Sequence, residues 1–286
     1  MPLRTHLLAA SFLSLLGLSH AAQALPAIGL TTGNALFSFD TATPGASGAA
    51  QAITGLQAGE TLYALDYRPS MGVLYGLGSS NRLYTINTST AAATVASTLS
   101  VPLSGSGFDI GFNPTVDRLR IVSTGGQNLR VNVDTGAVTT DTPVAFAASD
   151  ANAGAAPSVV GVAYTNQLQN LVLSTTLYDL DSTRNVLVTQ APPNNGILNT
   201  VGPLGVTGLT GFEIDGPSGA AFAATSNELY RVSLQTGAAT LVGAFGTGGV
   251  SDFALVQVPE PVSIVLLGVV VAGLAMTRRR GAAVAA

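Results

Sequence analysis

Four short apolar runs, separated by turn residues, form a unit that recurs along the middle of this chain. The clearest copy has runs at 62–69, 73–77, 82–86 and 93–96, rich in β-branched and aromatic residues. Gly, Pro, Ser and Asn lie between the runs, which predicts four antiparallel strands joined by turns. One such sheet cannot bury both of its apolar faces, so the repeat predicts sheets stacked on one another.

The spacing of the copies indicates the architecture. The proline that ends the first run recurs at Pro69, Pro114 and Pro217, which lie 45 and 103 residues apart. A weaker copy of the unit occupies 159–190. Units of about 45–50 residues are typical of the blades of a β-propeller.

The two ends of the repeat region complete one further unit. Segments 27–32, 34–40 and 51–54 resemble second, third and fourth strands, and 250–256 resembles a first strand. We therefore predict an all-β propeller of five four-stranded blades, with the closing blade shared between N-terminal and C-terminal strands, because closure removes unpaired sheet edges. A β-sandwich and a six-bladed ring stay open as alternatives. Segments 141–157 and 191–208, rich in small residues, Asn and Pro, are predicted to be loops.

Residues 1–24 have the organisation of a secretory signal peptide. Arg4 precedes an apolar run at 7–18, and the small-x-small motif that ends at Ala24 makes Leu25 the first mature residue. We therefore expect a signal peptidase to cut between Ala24 and Leu25, which leaves a propeller domain at 25–258.

Residues 259–286 form a second targeting segment. Pro259, Glu260 and Pro261 come first, an apolar stretch at 262–276 follows, and three arginines end it: Arg278, Arg279 and Arg280. This order resembles the PEP-CTERM sorting signal of Gram-negative bacteria. A plain C-terminal membrane anchor is the alternative, and the positive-inside rule leaves the domain outside the cytoplasm in both cases.

The PEP-CTERM resemblance implies a route for the protein. It implies cleavage of the tail by an exosortase-type membrane enzyme, after transient anchoring in the inner membrane through a C-terminal hydrophobic helix. It also implies a final place at the cell surface or outside the cell, where such proteins accompany exopolysaccharide and biofilm systems. A polysaccharide is therefore an expected partner.

The residue types present restrict the possible chemistry. All 11 basic residues are Arg, Cys is absent, and both histidines, His6 and His20, lie in the predicted signal peptide. A mature chain of this composition has no Ser-His-Asp triad, Cys nucleophile, Lys Schiff base or His/Cys metal site. Region 25–258 has 14 acidic residues against 7 Arg, a net charge near −7, which argues against nucleic-acid binding.

Two sets of polar residues are candidate sites. The first is a candidate ligand site in the densest polar stretch, with two polar residues of the segment that follows it: Asn113, Asp117, Arg118, Arg120, Asn128, Arg130, Asp150 and Asn152. The guanidinium group of Arg binds carboxylates and sugar hydroxyls through its N–H groups. The structural alternative is turn formation by Asn113, with Arg120 and Arg130 paired to Asp residues on a neighbouring blade.

The second set is Asp66, Asp109 and Asp252, at or near predicted first strands, which line the channel of a propeller. Converging carboxylates suit Ca²⁺, which takes six to eight oxygen ligands, although no EF-hand loop occurs. Paired carboxylates also hydrolyse glycosides. Four tyrosines on the clearest copy are predicted to be core rather than a sugar-stacking surface: Tyr63, Tyr67, Tyr75 and Tyr84.

Several motifs of the middle region resemble a bacterial family of unknown function numbered 4394. They lie at 111–118, 126–130, 150–154, 175–179 and 236–243, and the resemblance covers most of 62–243. The family implies no established activity, so it implies no catalytic residues for this chain. The sequence as a whole predicts an exported, non-catalytic binding or matrix module; a carboxylate-dependent glycosidase or lyase and a purely structural surface protein are the alternatives.

Overall fold

A computed structural model of the chain describes residues 24–168 and 173–256. They form an all-β propeller of five blades, which confirms the predicted fold class. The first blade contains β4 (Leu62–Arg68), β5 (Val73–Gly78), β6 (Arg82–Asn87) and β7 (Ala92–Thr98). The second contains β8 (Phe108–Asn113), β9 (Arg118–Ser123), β10 (Asn128–Asn132) and β11 (Ala137–Thr140).

The third blade has an additional strand. It contains β13 (Val159–Tyr164), β14 (Leu177–Asp181), β15 (Val186–Gln190) and β16 (Ile197–Pro203), and the short β12 (Ala145–Phe146) pairs in parallel with β16. The fourth blade contains β17 (Leu209–Ile214), β18 (Ala221–Thr225), β19 (Glu228–Val232) and β20 (Ala239–Ala244).

The closing blade joins the two ends of the domain. β21 (Val250–Leu255) is its inner strand, followed outward by β1 (Pro26–Thr31), β2 (Ala35–Asp40) and β3 (Gln51–Ala52). β21 and β1 pair antiparallel, with Ala27 opposite Leu255 and Leu30 opposite Asp252. The predicted closure between the first and last strands is therefore confirmed.

The prediction of two loops was partly wrong. Segment 191–208 contains a 3-10 turn (Pro193–Asn195) and then the seven-residue β16, and segment 141–157 contains β12. β16 has no regular apolar alternation, since its apolar residues are Ile197, Leu198 and Val201, and β12 is only two residues long. Pro203 is tolerated because it occupies the last position of β16.

The core of the described residues is divided among the joints between blades. Each of five buried apolar clusters combines residues of two adjacent blades. The innermost strands are buried along nearly their whole length, whereas the outermost strands β7, β11 and β20 are largely exposed. The five inner strands contact one another in the order β4, β8, β13, β17, β21 and β4, so they surround one axis.

Candidate functional site

The inner strands form a cavity where they begin. Its volume is about 210 Å³, and one residue from each inner strand lines it: Tyr63, Phe108, Val160, Thr210 and Ser251. Gly107 and Leu209 complete the lining. We call this cavity the channel mouth.

Four of these five lining residues occupy β-bulges. In β4 the pairing register passes from Leu62 to Ala64 and leaves Tyr63 without a partner on β5. Val160 and Thr210 are skipped in the same way, and Ser251 is skipped in the pairing of β21 with β1. A bulge turns its extra side chain away from the regular alternation, and bulges are frequent at barrel rims and near binding sites.

An aromatic pair covers one side of the channel mouth. The rings of Tyr63 and Phe108 lie with centroids 5.0 Å apart and planes inclined by 30°. Thr210 and Ser251 add hydroxyl groups to the lining, and these donate to the backbone carbonyls of Ala224 at 3.4 Å and Leu30 at 3.3 Å. Tyr67, Tyr75 and Tyr84 are buried, whereas Tyr63 is partly exposed.

Beneath the mouth, three aspartates connect neighbouring blades. One carboxylate oxygen of Asp252 accepts the Leu65 N–H, one of Asp66 accepts the Phe112 N–H, and one of Asp109 accepts the Val162 N–H, each at 2.6 Å. These donors lie on inner strands, whose free edges would otherwise leave buried N–H groups unpaired. The structure therefore brings the three predicted channel carboxylates to the axis and gives each a main-chain partner.

Glu213 joins them as a fourth channel carboxyl. Burial raises its pKa well above the ordinary value, and Asp66, Asp252 and Asp109 raise it further, with no hydrogen bond from the described residues to oppose them. Burial raises the pKa of Asp66 to about 8, and it raises the pKa of Asp109 and Asp252 well above the usual range. Asp66 is therefore mostly protonated and uncharged near neutral pH, and burial favours the uncharged form of the other three acids in the same direction.

The channel carboxyls are not arranged as a metal site. Within residues 24–168 and 173–256, no group of three or more His, Cys, Asp or Glu is placed to hold a metal ion. Calcium stays a sequence-based prediction that this geometry does not support.

Three of the predicted ligand residues lie together between the second and third blades. Arg120, which is 1% exposed, donates to Tyr164, Asn128, Asp141 and Asn194. Arg130 donates two hydrogen bonds to the same Asp141. We expected pairing with a neighbouring blade; the partner instead directly follows β11 of the same blade, because antiparallel β10 and β11 bring their ends together.

Asp117 has a structural partner in another blade. Its carboxylate accepts from Arg68 of the first blade, which also donates to Asp134. Asp117 has a positive φ of 50°, and Ser70 donates to it at 3.0 Å. Arg68 lowers the pKa of both Asp117 and Asp134, as expected for ion-paired carboxyls.

The remaining predicted residues are dispersed. Asn113 accepts from the Thr115 N–H and hydroxyl, which is the predicted turn chemistry, and Arg118 donates to the carbonyl of Asp117. Asp150 accepts from Thr200 on β16, and the Asn152 side chain donates to the same residue. Asp150 and Asn152 therefore anchor their loop to the third blade, away from Arg120.

Sequence reasoning missed the most unusual buried acid. Asp179 on β14 is 0% exposed, and neither of its carboxylate oxygens has a hydrogen-bond partner among the described residues. Burial raises its pKa to about 8, while the nearby Arg120 lowers it. The Oε1 atom of Gln190 on the adjacent strand is also buried and unpaired. Such groups in native proteins usually contact internal water.

The targeting predictions fall largely outside the described residues. The predicted signal peptide up to residue 23 and the predicted sorting signal from Pro259 to Arg280 lie outside the described residues. Ala24 and Leu25, between which cleavage is predicted, lie at the start of the described region. In the region that the structure does describe, no helix has the length and apolar character that crossing a bilayer requires.

Some solved structures are similar to this chain at low identity. A structural genomics protein of unknown function from Bacteroides thetaiotaomicron has a TM-score of 0.49 and 14% identity, over 71% of this chain and 54% of that one. A chain of a nidogen/laminin complex has a TM-score of 0.49 and 8% identity, and the match covers 83% of this chain and 100% of that one. Hydrazine synthase of Kuenenia stuttgartiensis has a TM-score of 0.41 and 13% identity, and the match covers 68% of this chain and 53% of that one.

No curated protein matches the chain. A family model does match, over residues 35–254, and so includes strands of all five blades. The protein therefore belongs to the family described as Domain of unknown function (DUF4394).

Proposed function

We propose that this protein is an exported binding module that holds a sugar unit of a surface polysaccharide in the channel mouth without cleaving it. The observation that carries the proposal is the mouth itself, where bulges on four inner strands direct side chains into one cavity of about 210 Å³. Ligand sites in proteins are concave and mostly apolar, with a few polar groups that fix orientation.

The lining chemistry suits a neutral sugar. The tilted Tyr63 and Phe108 rings offer an apolar surface on which the C–H face of a sugar ring can pack. Among the described residues nothing bonds to the Tyr63 hydroxyl, and the hydroxyls of Thr210 and Ser251 make only long contacts. These groups are available to a ligand rich in hydroxyl groups.

The carboxyls below the mouth support binding over hydrolysis. Retaining and inverting glycosidases need two carboxyl groups that are free to contact the scissile bond. Here Asp66, Asp109 and Asp252 each accept a main-chain hydrogen bond from the next blade and are 2–3% exposed, which leaves Glu213 as the one channel carboxyl among the described residues without such a bond and so without a free second carboxyl. Their contacts match a role in holding the ring together.

The export part of the proposal rests on the two targeting segments. The signal-peptide pattern of residues 1–24 and the tripartite tail at 259–286 support signal peptidase cleavage, exosortase-type processing and a place at the cell surface or outside it. Expression in a Gram-negative host with an exosortase, followed by mass spectrometry of the mature protein, tests this part. A mature N-terminus elsewhere than Leu25, or an uncut tail, would contradict it.

The binding part is tested by affinity electrophoresis of the purified protein in gels that contain neutral glucans or mannans. We expect retardation by at least one of these polymers, and a loss of affinity of up to about tenfold for Tyr63→Ala, since aromatic packing contributes about 0.5–1.5 kcal/mol. Tyr178→Ala is the matched control, because Tyr178 is also half-buried but lies on β14, away from the mouth.

Two results would overturn this assignment. Equal retardation of the wild type and Tyr63→Ala would place any binding elsewhere. New reducing ends in the polymer after incubation would show that the protein is a hydrolase.

A further inference from the structure

A second cavity lies on the fourth blade, at the end opposite the channel mouth. Its volume is about 400 Å³, and its lining comes from the turn between β17 and β18, the turn between β19 and β20, and the strands beside them. The channel mouth lies where the inner strands begin, whereas both of these turns lie at the other end of the blade. The two cavities share no lining residue.

Arg231 is the charged residue of this cavity. It lies on β19 between two cross-strand neighbours, Phe222 on β18 and Thr240 on β20. Its guanidinium carbon is 5.0 Å from the centre of the Phe222 ring, and Phe222 is itself 3% exposed. A cation–π contact with a fixed ring holds the guanidinium group in place and leaves the N–H groups at its edge free.

No acid pairs with Arg231 in the described part of the chain. The ion pairs found there involve Arg68, Arg82, Arg120 and Arg130. An exposed and pre-oriented Arg without an acid partner is the arrangement that binds an oxyanion in a bidentate manner.

Uncharged polar groups surround the guanidinium. Thr240 lies directly opposite Arg231, and Ser233 and Gln235 follow on the same turn. The Gln235 carbonyl oxygen accepts from the Ser233 hydroxyl at 3.4 Å, which leaves the Gln235 amide N–H groups available. Hydroxyl and amide groups of this kind form hydrogen bonds with sugar hydroxyls.

The local charge favours an anion with one negative charge. Arg231 supplies a single positive charge, and the Asp215 carboxylate lies behind Ser218, from whose N–H and hydroxyl it accepts. One carboxylate balances the charge of Arg231, whereas the second negative charge of a phosphate ester would have no cationic partner in the lining, in a domain with 14 acidic residues against 7 Arg. We propose that this cavity binds the carboxylate of an acidic sugar, such as a uronic acid unit, through Arg231.

The test is a titration of the purified protein, followed by amide chemical shifts, with sodium glucuronate, with glucose and with glucose 6-phosphate. We expect millimolar binding of glucuronate that weakens with added salt, and much weaker binding of the other two sugars. Arg231→Gln should lose at least about tenfold in affinity, the usual value of a charged bidentate contact. Arg231→Lys keeps the positive charge but cannot form the two parallel hydrogen bonds of a guanidinium group, so its affinity for glucuronate should fall several-fold.

Arg184→Gln is the matched control, because Arg184 is exposed on the turn between β14 and β15 and forms no ion pair with described residues. Its affinity for glucuronate should equal that of the wild type. Unchanged affinity in Arg231→Gln, or tighter binding of glucose 6-phosphate than of glucuronate, would overturn the proposal. Loss of neutral glucan binding would leave it untouched, since that ligand is assigned to the channel mouth.

Discussion

Asp66 allows a quantitative test of the channel. Its carboxyl is 3% exposed, and burial raises its pKa from 3.8 to about 8. Between these two pH values the folded protein keeps a proton that the unfolded chain releases. The contribution of Asp66 to the free energy of unfolding is therefore highest below pH 4. It falls by about 1.4 kcal/mol per pH unit as the pH rises toward 8.

The perturbation is Asp66→Asn. The Asn side-chain oxygen can still accept the Phe112 N–H, so the contact between the first and second blades is kept while the titration is removed. Between pH 5 and pH 7 the wild type should lose about 3 kcal/mol of stability through this carboxyl. Asp109, Glu213 and Asp252 add loss of the same sign, because their pKa values are also raised. The variant should lose about 3 kcal/mol less than the wild type.

The assay is urea unfolding at several pH values from 5 to 7, with the free energy of unfolding extrapolated to water. Histidine, which often dominates stability changes in this range, occurs only at positions 6 and 20. Asp134→Asn is the control, because Arg68 lowers the pKa of Asp134 and this carboxyl is ionised in both states above pH 5. A wild-type stability that is flat or rising from pH 5 to 7, or an equal slope in Asp66→Asn, would refute the reasoning.

Two further predictions concern packing. Phe253→Ala on β21 should lower the free energy of unfolding by about 3–5 kcal/mol in urea denaturation, because the ring is 0% exposed and packs between the fourth and closing blades. Gly211→Ala should also destabilise the protein, since its new Cβ would lie 2.3 Å from Asp252 Oδ1 and force the carboxyl to move, which shifts Oδ2, the acceptor of the Leu65 N–H. Gly248→Ala, whose Cβ meets nothing nearer than 3.7 Å, should leave the thermal unfolding midpoint nearly unchanged, and equal midpoints for the two glycine variants would contradict the steric argument.

The blade architecture is predictable because it depends on local signals. Turn residues divide the strands at regular intervals, and Pro69, Pro114 and Pro217 each follow an inner strand by one to three residues. The closing blade is predictable because β1 begins without an inner strand and β21 ends without outer ones. The sequence did not predict β16, because its apolar residues lie between a Pro-rich turn and Pro203. No sequence pattern near it indicates that this segment is the next strand of the third blade.

The site is less predictable because bulges and distant contacts create it. Tyr63 resembles the core tyrosines in sequence, yet an extra residue in β4 moves it to the channel mouth. Glu213 could have been found, since it lies three residues after the mouth residue Thr210, as Asp66 does after Tyr63. Arg68 and Asp117 come from different blades, and their pairing follows only from the closed ring.

The channel is asymmetric, and this asymmetry follows from the distribution of its acids. Aspartates tie the closing blade to the first, the first to the second and the second to the third. The inner strand of the third blade has Gly161 and Ala163 where the others carry acids, so it offers no carboxylate to the fourth. The fourth has Glu213, whose side chain is one methylene longer than that of Asp and makes no hydrogen bond with the described residues. The unpaired Glu213 therefore marks the side of the channel where packing alone, without a carboxyl-to-main-chain hydrogen bond among the described residues, joins one inner strand to the next.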